Sequence, residues 1–526
     1  MKLFLSLTPL LIILIGIVGL KKPAKWVSIF AIIYTLIISY FLFNIANEIL
    51  FTQTKKGIVD GFKMVYMIWS AFLVLSMLIR TGAMNKIKEC IANLTTDKRK
   101  QVIIIGFCFG GFLEGVAGAG TPAAIAAPFL MILGIPALDA AIASLIFNGI
   151  AASLGAAGFT TIGGFTPFLS GIGIDEIKNL IVHIPYFITN TPPTSVDIHA
   201  TILNISMITG LIHFWGALIA PFIVLSVLWG KKCFDKDICC FSLIVGFCYG
   251  ISLVVIGSFV GAEFPTICAG IFSLFGAIFY IKYFNKETII PYLFKININK
   301  EIEKNNMKPI TAMSTYLLLL ILLPLVRFFA PSCFLSLGFS IWIGTTILFV
   351  CFFGSIILKS TNNFLLYAKE AFNNVSGALI AMSALLSIAN LMKVTGMLNI
   401  IATFLALHTG MLYPGIAVFI GSLGSFVTGT TTGSNIMFAP MHYEAVKILN
   451  INLPAVLGAQ NAGGALGNMI CPNNVVAVCA TVNMQNSEGL VMRRVFKPIV
   501  FLWIVYASLA LIYSYILFPL LPVILK

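Results

Sequence analysis

The chain has 526 residues, 59% of them hydrophobic and only 10% charged, with a mean hydropathy of +1.03. Soluble globular proteins carry about 25% charged residues, so this composition excludes a soluble fold and needs lipid as its solvent. The formal net charge of +14 comes from Lys and Arg in short loops between apolar runs, which is the positive-inside pattern and excludes a nucleic-acid binder.

The first run, MKLFLSLTPLLIILIGIVGLKK, is too long for a signal-peptide core, lacks an A-x-A site and is followed at once by a second apolar run. It is expected to be a retained first helix. Further spans are predicted near 26–45, 62–80, 101–117, 121–134, 136–156, 202–229, 240–260, 265–284, 312–332, 336–358, 374–394, 398–428, 432–449, 453–470 and 499–520. The shorter ones fall short of a full crossing, which leaves roughly 12 to 14 transmembrane helices. The alternation of an outer-membrane barrel is absent. The predicted class is an all-α polytopic integral membrane protein.

Two polar segments set the orientation. Residues 171–200 contain a single lysine, Lys178, whereas 285–308 contain five. The first is expected outside and the second in the cytoplasm, with the KKCFDK loop at 231–236 on the inner side. The eleven cysteines are scattered without C-x-x-C or metal spacing and read as small apolar fillers.

An internal repeat organises the chain. RTGAMNKI (80–87) resembles VTGMLNII (394–401), and a shift of 314 maps Thr81 on Thr395, Asn85 on Asn399, Phe112 on Phe426 and Gly115 on Gly429. FLEGVAGAGTP (112–122) then faces FVTGTTTGSNI (426–436), and Asn148 faces Asn461. The predicted organisation is N-terminal helices over 1–57, a first repeat over 58–172, connecting helices over 173–371, a second repeat over 372–484 and a C-terminal helix over 485–526.

Each paired stretch is a glycine-rich polar break inside an apolar run. A helix interrupted in the membrane leaves unpaired N–H and C=O groups, tolerated only where protein or a water-filled cavity satisfies them. The exposed N-terminus of a half-helix suits an anion such as a carboxylate. Matched breaks in two halves mark the binding site of repeat-built transporters, and inversion of the repeats is expected by analogy with them. The plainer alternative is close helix packing at small-xxx-small positions.

Several residues stand out at these breaks. Glu114 is an intramembrane acid, costly unless it pairs or lines a cavity. It is the candidate for proton coupling, with a structural pairing, for instance with Arg80, as the alternative. Ser434 and Asn435 offer hydroxyl and amide groups at a half-helix start, for substrate contact or N-capping. Gly118, Gly120, Thr121, Asn148, Thr431, Thr432, Asn461, Gly463 and Gly464 complete the candidate substrate site. Arg80 and Lys393 end spans in the two halves, where snorkelling is the first expectation and a carboxylate contact the second. Arg327, His213, His408 and His442 are lesser candidates for buried cation or proton relay. Asp139 and Glu263 are expected near interfaces, without chemistry. No Walker A, H-E-x-x-H or G-x-S-x-G motif is present, so neither ATP drive nor an enzyme is expected.

GFCFGGFLEGVAGAGTPAAI (106–125), GAEFPTI (261–267), LALHTG (405–410), TGTTTGSN (428–435) and NAGGALGNMICPNNVVAVCA (461–480) together resemble the signature of the bacterial L-lactate permease family. The resemblance runs from about residue 60 to the C-terminus. It implies secondary transport of lactate and related 2-hydroxy acids such as glycolate, by proton symport across the bacterial inner membrane. It places Glu114 on the acid of the LEG motif, Gly115, Gly118 and Gly120 on its glycines, Ser434 and Asn435 on the Ser-Asn pair, and Asn461 on the asparagine of the Asn-small-Gly-Gly motif. Two positions depart from the family: Thr431 stands where an aspartate is usual, and Asn468 where a lysine is usual. Losing both charges together implies that the two interact in relatives, since removing one would strand the other.

The reading is therefore a proton-coupled carrier of L-lactate and similar monocarboxylates. No cofactor is expected, and protons are the coupling ion. The expected partners are a small carboxylate and membrane lipid, with a homodimer left open. The competing readings are a sodium-coupled or dicarboxylate carrier, a passive channel and a membrane-embedded enzyme.

Overall fold

A computed structural model describes residues 2–16, 20, 24–92, 94–116, 118, 121–171, 198–284, 307–329, 339–484 and 487–518. In chain order the helices are α1 (Lys2–Leu14), α2 (Ala24–Phe41), α3 (Asn47–Arg80), α4 (Ala83–Ala92) and α5 (Lys98–Val102). The last continues through a π-helical stretch, Ile103–Phe109, into α6 (Gly110–Val116). Then come α7 (Thr121–Ile132), α8 (Ala137–Ala151), α9 (Gly164–Leu169), α10 (Ile198–Trp229), α11 (Lys236–Phe259), α12 (Pro265–Tyr283), α13 (Pro309–Phe329) and α14 (Phe339–Ile357). The second half holds α15 (Phe364–Val394), α16 (Met397–Thr409), α17 (Tyr413–Thr428), α18 (Thr431–Leu449), α19 (Leu453–Asn468), α20 (Pro472–Thr481) and α21 (Glu488–Ile512).

The chain is all-α. Among the described residues, 7 helices are long and apolar enough to cross a membrane, and four shorter apolar helices accompany them. The predicted span 398–428 is two helices, because Gly410 takes a left-handed φ of 50° and the chain restarts beside Pro414. The predicted spans 62–80 and 374–394 begin earlier, at Asn47 and Phe364, so α3 and α15 run through the expected boundaries at 57/58 and 371/372. Their polar starts hid them from a hydropathy reading.

The two halves repeat the same order of elements, α3 to α10 and α15 to α21. Contacts between them come in exchanged pairs: α7 packs on α20 and α18 packs on α9. The leading helices α3 and α15 pack antiparallel, with Gly57 and Gly61 against Ser387 and Ser383. The trailing helices α10 and α21 are also antiparallel: Tyr513 donates to the Leu211 carbonyl at 3.3 Å, and Gly216 meets Tyr506.

These contacts fix the direction of two re-entrant hairpins. The first, α5–α7, stands at the Trp229 end of α10, where Arg99 Nη1 donates to the Cys233 carbonyl at 2.8 Å and to Asp235 at 2.7 Å. Its second arm returns to the same end, with Gly134 near Lys98. The second hairpin, α17–α18, stands at the opposite end, where Asn452 Nδ2 donates to the Phe518 carbonyl at 3.1 Å and Gly415 lies against Ala507. The hairpins enter from opposite faces, and the repeats are inverted. The predicted spans 101–117 and 121–134 are thus the two arms of one hairpin rather than two crossings.

The foot of the first hairpin is held by charge. Arg99 is buried between Asp97, which accepts from Nη2 at 2.7 Å, and Asp235. Lys100 reaches Asp237 at 2.7 Å and lies over the Phe241 and Tyr280 rings. Buried guanidinium survives here because every face meets a carboxylate or carbonyl.

Candidate functional site: the paired helix breaks

Each hairpin tip holds a glycine with a left-handed φ. α17 ends at Gly429, whose left-handed φ of 81° glycine adopts without the strain a Cβ would bring. Thr430 then turns extended and caps α18 by accepting the Gly433 N–H at 2.9 Å. The N-cap is thus Thr430. Ser434 and Asn435 lie one turn further in, free to bond elsewhere. In the first tip, Gly118 carries the matching left-handed φ of 63°. Gly120 lies outside the described residues, and Thr121 is described only as the first residue of α7.

Each half also breaks its next helix. α8 gives way to 3-10 turns at Ala152–Leu154 and Ala156–Gly158, where Ala156, Ala157 and Gly158 all have positive φ. α19 ends at Asn468 and the chain restarts at Pro472. The loop 152–163 presents its carbonyls and hydroxyls to the second half. Asn461 Nδ2 shares its protons among Thr161 Oγ1 at 2.9 Å, Thr209 Oγ1 at 3.2 Å and the Ser153 carbonyl at 3.3 Å. Asn461 Oδ1 accepts from Asn435 Nδ2 at 2.8 Å, and that amide also donates to the Thr160 carbonyl at 3.0 Å. Asn435 and Asn461 are both fully buried. The sequence analysis expected these two at one site, and the structure brings them into contact.

Two hydrogen-bond chains run beside this pair, one ending at the Gly421 carbonyl and the other at the Asn461 carbonyl. Ser434 donates to the Gly421 carbonyl at 2.8 Å and accepts from Gln460 Nε2 at 2.9 Å. Gln460 Oε1 must then accept from His442 Nε2 at 2.8 Å, so His442 Nδ1 accepts from Tyr413 at 2.8 Å. The direction of every proton follows from the carbonyl at the end. The second chain obeys the same logic. Ser153 donates to the Asn461 carbonyl at 2.7 Å, so it accepts from His213 Nε2 at 2.8 Å, and His213 Nδ1 accepts from Tyr506 at 2.9 Å. Both histidines therefore carry the proton on Nε2. His408, by contrast, lies at the surface and bonds its own helix at the Phe404 carbonyl.

Glu114 is buried in α6, and a Cβ on Gly155 would lie 3.0 Å from its Oε1. Glu114 thus presses on the loop that carries Ser153, Thr160 and Thr161 to Asn461. Its suggested partner Arg80 is elsewhere, paired with Glu370 at the half-exposed end of α3. Glu263 was expected near an interface but is 1% exposed, in the 260–264 turn that docks on Gly158.

The other candidates divide into two groups. Asn435 Oδ1, Thr431 Oγ1 and Asn148 Oδ1 are buried with no hydrogen-bond partner among the described residues. An unmet buried acceptor or hydroxyl costs roughly 1–3 kcal/mol, which marks these as places for a ligand or water. Thr432 is buried in the first turn of α18. Gly463 instead packs: a Cβ there would overlap the Val418 carbonyl of α17, and Gly464 faces Thr431. Asn468 accepts from Asn474 Nδ2 at 2.8 Å. Side-chain placement of Arg327 lies outside the described residues. Sequence reasoning missed Ser153, Thr160, Thr161, Gln460, Tyr413 and Tyr506. The signal present was polar density, FTTIGG and GAQN, inside apolar runs.

The chain matches the sequence model of the L-lactate permease family over residues 2–365 and 329–517. It is 26% identical to the L-lactate permease of Streptococcus iniae, covering 87% of this chain and 93% of that protein. It is 26% identical to the L-lactate permease of Halalkalibacterium halodurans, covering 94% and 93%. The glycolate permease GlcA of Escherichia coli is 23% identical, covering 97% and 95%. Among solved structures, the YdaH transporter of Alcanivorax borkumensis aligns with a TM-score of 0.43 at 14% identity, covering 88% of this chain and 87% of that one. The chain is a multi-pass membrane transporter and belongs to the L-lactate permease family.

Proposed function

We propose that the chain carries L-lactate and related small 2-hydroxymonocarboxylates by proton symport across the bacterial inner membrane. Family membership is the observation that carries this reading, and the paired breaks supply its chemistry. The α18 N-terminus, with the partial positive charge of a helix start, suits the carboxylate. The unpartnered Asn435 Oδ1 suits the 2-hydroxyl as an acceptor. Glu114 is the coupling residue in this reading. Gain or loss of its proton changes the charge pressed against Gly155, in the same loop that holds Asn461 through Ser153 and Thr161. Proton binding and substrate binding then act on one shared element.

The experiment is uptake of radiolabelled L-lactate into proteoliposomes under an inward proton gradient, with and without sodium. Wild type is expected to accumulate lactate without sodium. Glu114→Gln is expected to lose accumulation while retaining lactate–lactate exchange. Accumulation that persists in Glu114→Gln removes Glu114 from coupling. No uptake under any gradient rejects lactate as substrate.

A further inference from the structure

The hydrogen-bond senses around Asn435 are fixed by groups that can only accept. Asn435 Nδ2 donates to the Thr160 carbonyl at 3.0 Å, and Asn461 Nδ2 donates to the Ser153 carbonyl at 3.3 Å. A backbone carbonyl carries no proton, so turning either amide over sets oxygen against oxygen. The hydroxyls agree. Thr161 Oγ1 gives its proton to the Ser153 carbonyl at 2.8 Å, and Thr209 Oγ1 gives its own to the Ile205 carbonyl at 2.7 Å. Both therefore meet Asn461 as acceptors, at 2.9 and 3.2 Å. Asn461 must show them its amide N–H groups, which leaves its Oδ1 to accept from Asn435 Nδ2 at 2.8 Å.

The end of this relay is Asn435 Oδ1. It is sealed from solvent and meets no donor among the described residues. Asn435, Asn461, Thr161 and Thr209 are all fully buried. The relay joins the two halves, running from α10 and the loop 152–163 through α19 to α18. With its amide held in one sense, Asn435 offers an acceptor and nothing else to whatever is enclosed with it. An O–H or N–H satisfies that oxygen. A carbonyl or a fluorine at the same point brings a second acceptor and leaves the first one unmet, which is costly in a buried place.

We propose that Asn435 is a specificity-determining residue that reads the hydrogen-bond sense of the group on C2 of the bound acid, and that Asn461, Thr161 and Thr209 are positioning residues that hold it in that sense. The site then takes 2-hydroxy acids and refuses 2-oxo acids of the same size and charge. The proposal rests on the carboxylate-transport reading for its ligand, whereas the fixed sense of the amides rests on hydrogen-bond geometry alone.

The test is competition against exchange of radiolabelled L-lactate in proteoliposomes holding the full-length protein, with no ion gradient, so that coupling does not enter. The competitors are unlabelled L-lactate, pyruvate and 2-fluoropropionate of the same hand, whose fluorine is close to a hydroxyl in size but donates nothing. In wild type, pyruvate and 2-fluoropropionate are expected to compete about 10–100-fold more weakly than L-lactate. Asn435→Leu is expected to bring the three acids within about three-fold of one another, by weakening L-lactate. Thr161→Val with Thr209→Val removes both hydroxyl acceptors from Asn461 and is expected to shrink the preference by at least about three-fold, whereas Thr161→Ser with Thr209→Ser keeps the hydroxyls and preserves it. The threonine variants carry the test if Asn435→Leu does not fold. A role in helix packing alone would weaken all three acids together and leave their ratio unmoved. Equal competition by the three acids in wild type, or a preference unchanged in Asn435→Leu, overturns the proposal while the transport reading stands. A preference lost in Asn435→Leu but kept by the Thr→Val pair overturns the positioning roles. L-lactate that is not exchanged at all rejects the transport reading and this use of Asn435 with it.

Discussion

The contact between Asn435 and Asn461 permits a quantitative test of the site. Asn435 Nδ2 donates at once to Asn461 Oδ1 at 2.8 Å and to the Thr160 carbonyl at 3.0 Å. Replacing Asn461 by Leu strands one of those two protons in a fully buried place. Replacing Asn435 by Leu leaves two acceptors, Asn461 Oδ1 and the Thr160 carbonyl, without that amide. The single Asn461→Leu change should cost roughly 1–3 kcal/mol, the penalty of one unmet buried donor. Interhelical hydrogen bonds measured in a membrane average only about 0.6 kcal/mol and reach about 1.7. Because this pair is sealed from solvent, its coupling should lie toward the upper figure. Reversible unfolding in mixed dodecyl sulfate micelles of both singles and the double variant gives the coupling directly. The double variant should cost less than the sum of the singles by about 1–1.5 kcal/mol. Additivity within about 0.3–0.5 kcal/mol would refute the argument that these asparagines form one unit.

Three further outcomes follow from the geometry. Gly463→Ala drives a methyl into the Val418 carbonyl, so α17 and α19 must part. The cost is about 1–3 kcal/mol, seen as a lower unfolding midpoint in detergent. Thr431→Asp alone or Asn468→Lys alone puts an unpaired charge in a buried place, at about 2.5–3.5 kcal/mol, and lowers the folded yield by size-exclusion chromatography. The two together should recover much of that yield, and a double variant worse than both singles would refute the pairing. At the first hairpin's foot, burial works to raise Asp235, but donation from the Ile238 N–H and from Arg99 outweighs it and holds the carboxyl below its usual 3.8. A lowered folded value means stability that is present above pH 3.8 and is lost as pH falls through the lowered value. Asp235→Asn should therefore flatten the acid limb of an unfolding-midpoint titration.

The sequence by itself determined the solvent, the class and the repeat. Composition demanded lipid, apolar runs demanded helices, and the matched glycine-rich stretches 112–122 and 426–436 exposed the two halves, because these depend on local chemistry along the chain; that the left-handed turn of the first falls at Gly118 and not at Gly115, the sequence partner of Gly429, came only from the structure. Spans failed where the local signal misled. A hydropathy reading cannot separate a crossing from a re-entrant arm, since both are apolar and of similar length; only the contact of Asn452 with Phe518 and of Arg99 with Asp235 shows which face each hairpin enters. The same limit applied to the site. Asn435 and Asn461 were legible as polar groups in apolar surroundings. Ser153, Thr161, Gln460 and the two Tyr–His pairs were not, because their roles come from partners up to 308 residues away in sequence. Which donor meets which acceptor, and which acceptor is left for a ligand, is a property of packed helices in three dimensions, and no local pattern encodes it.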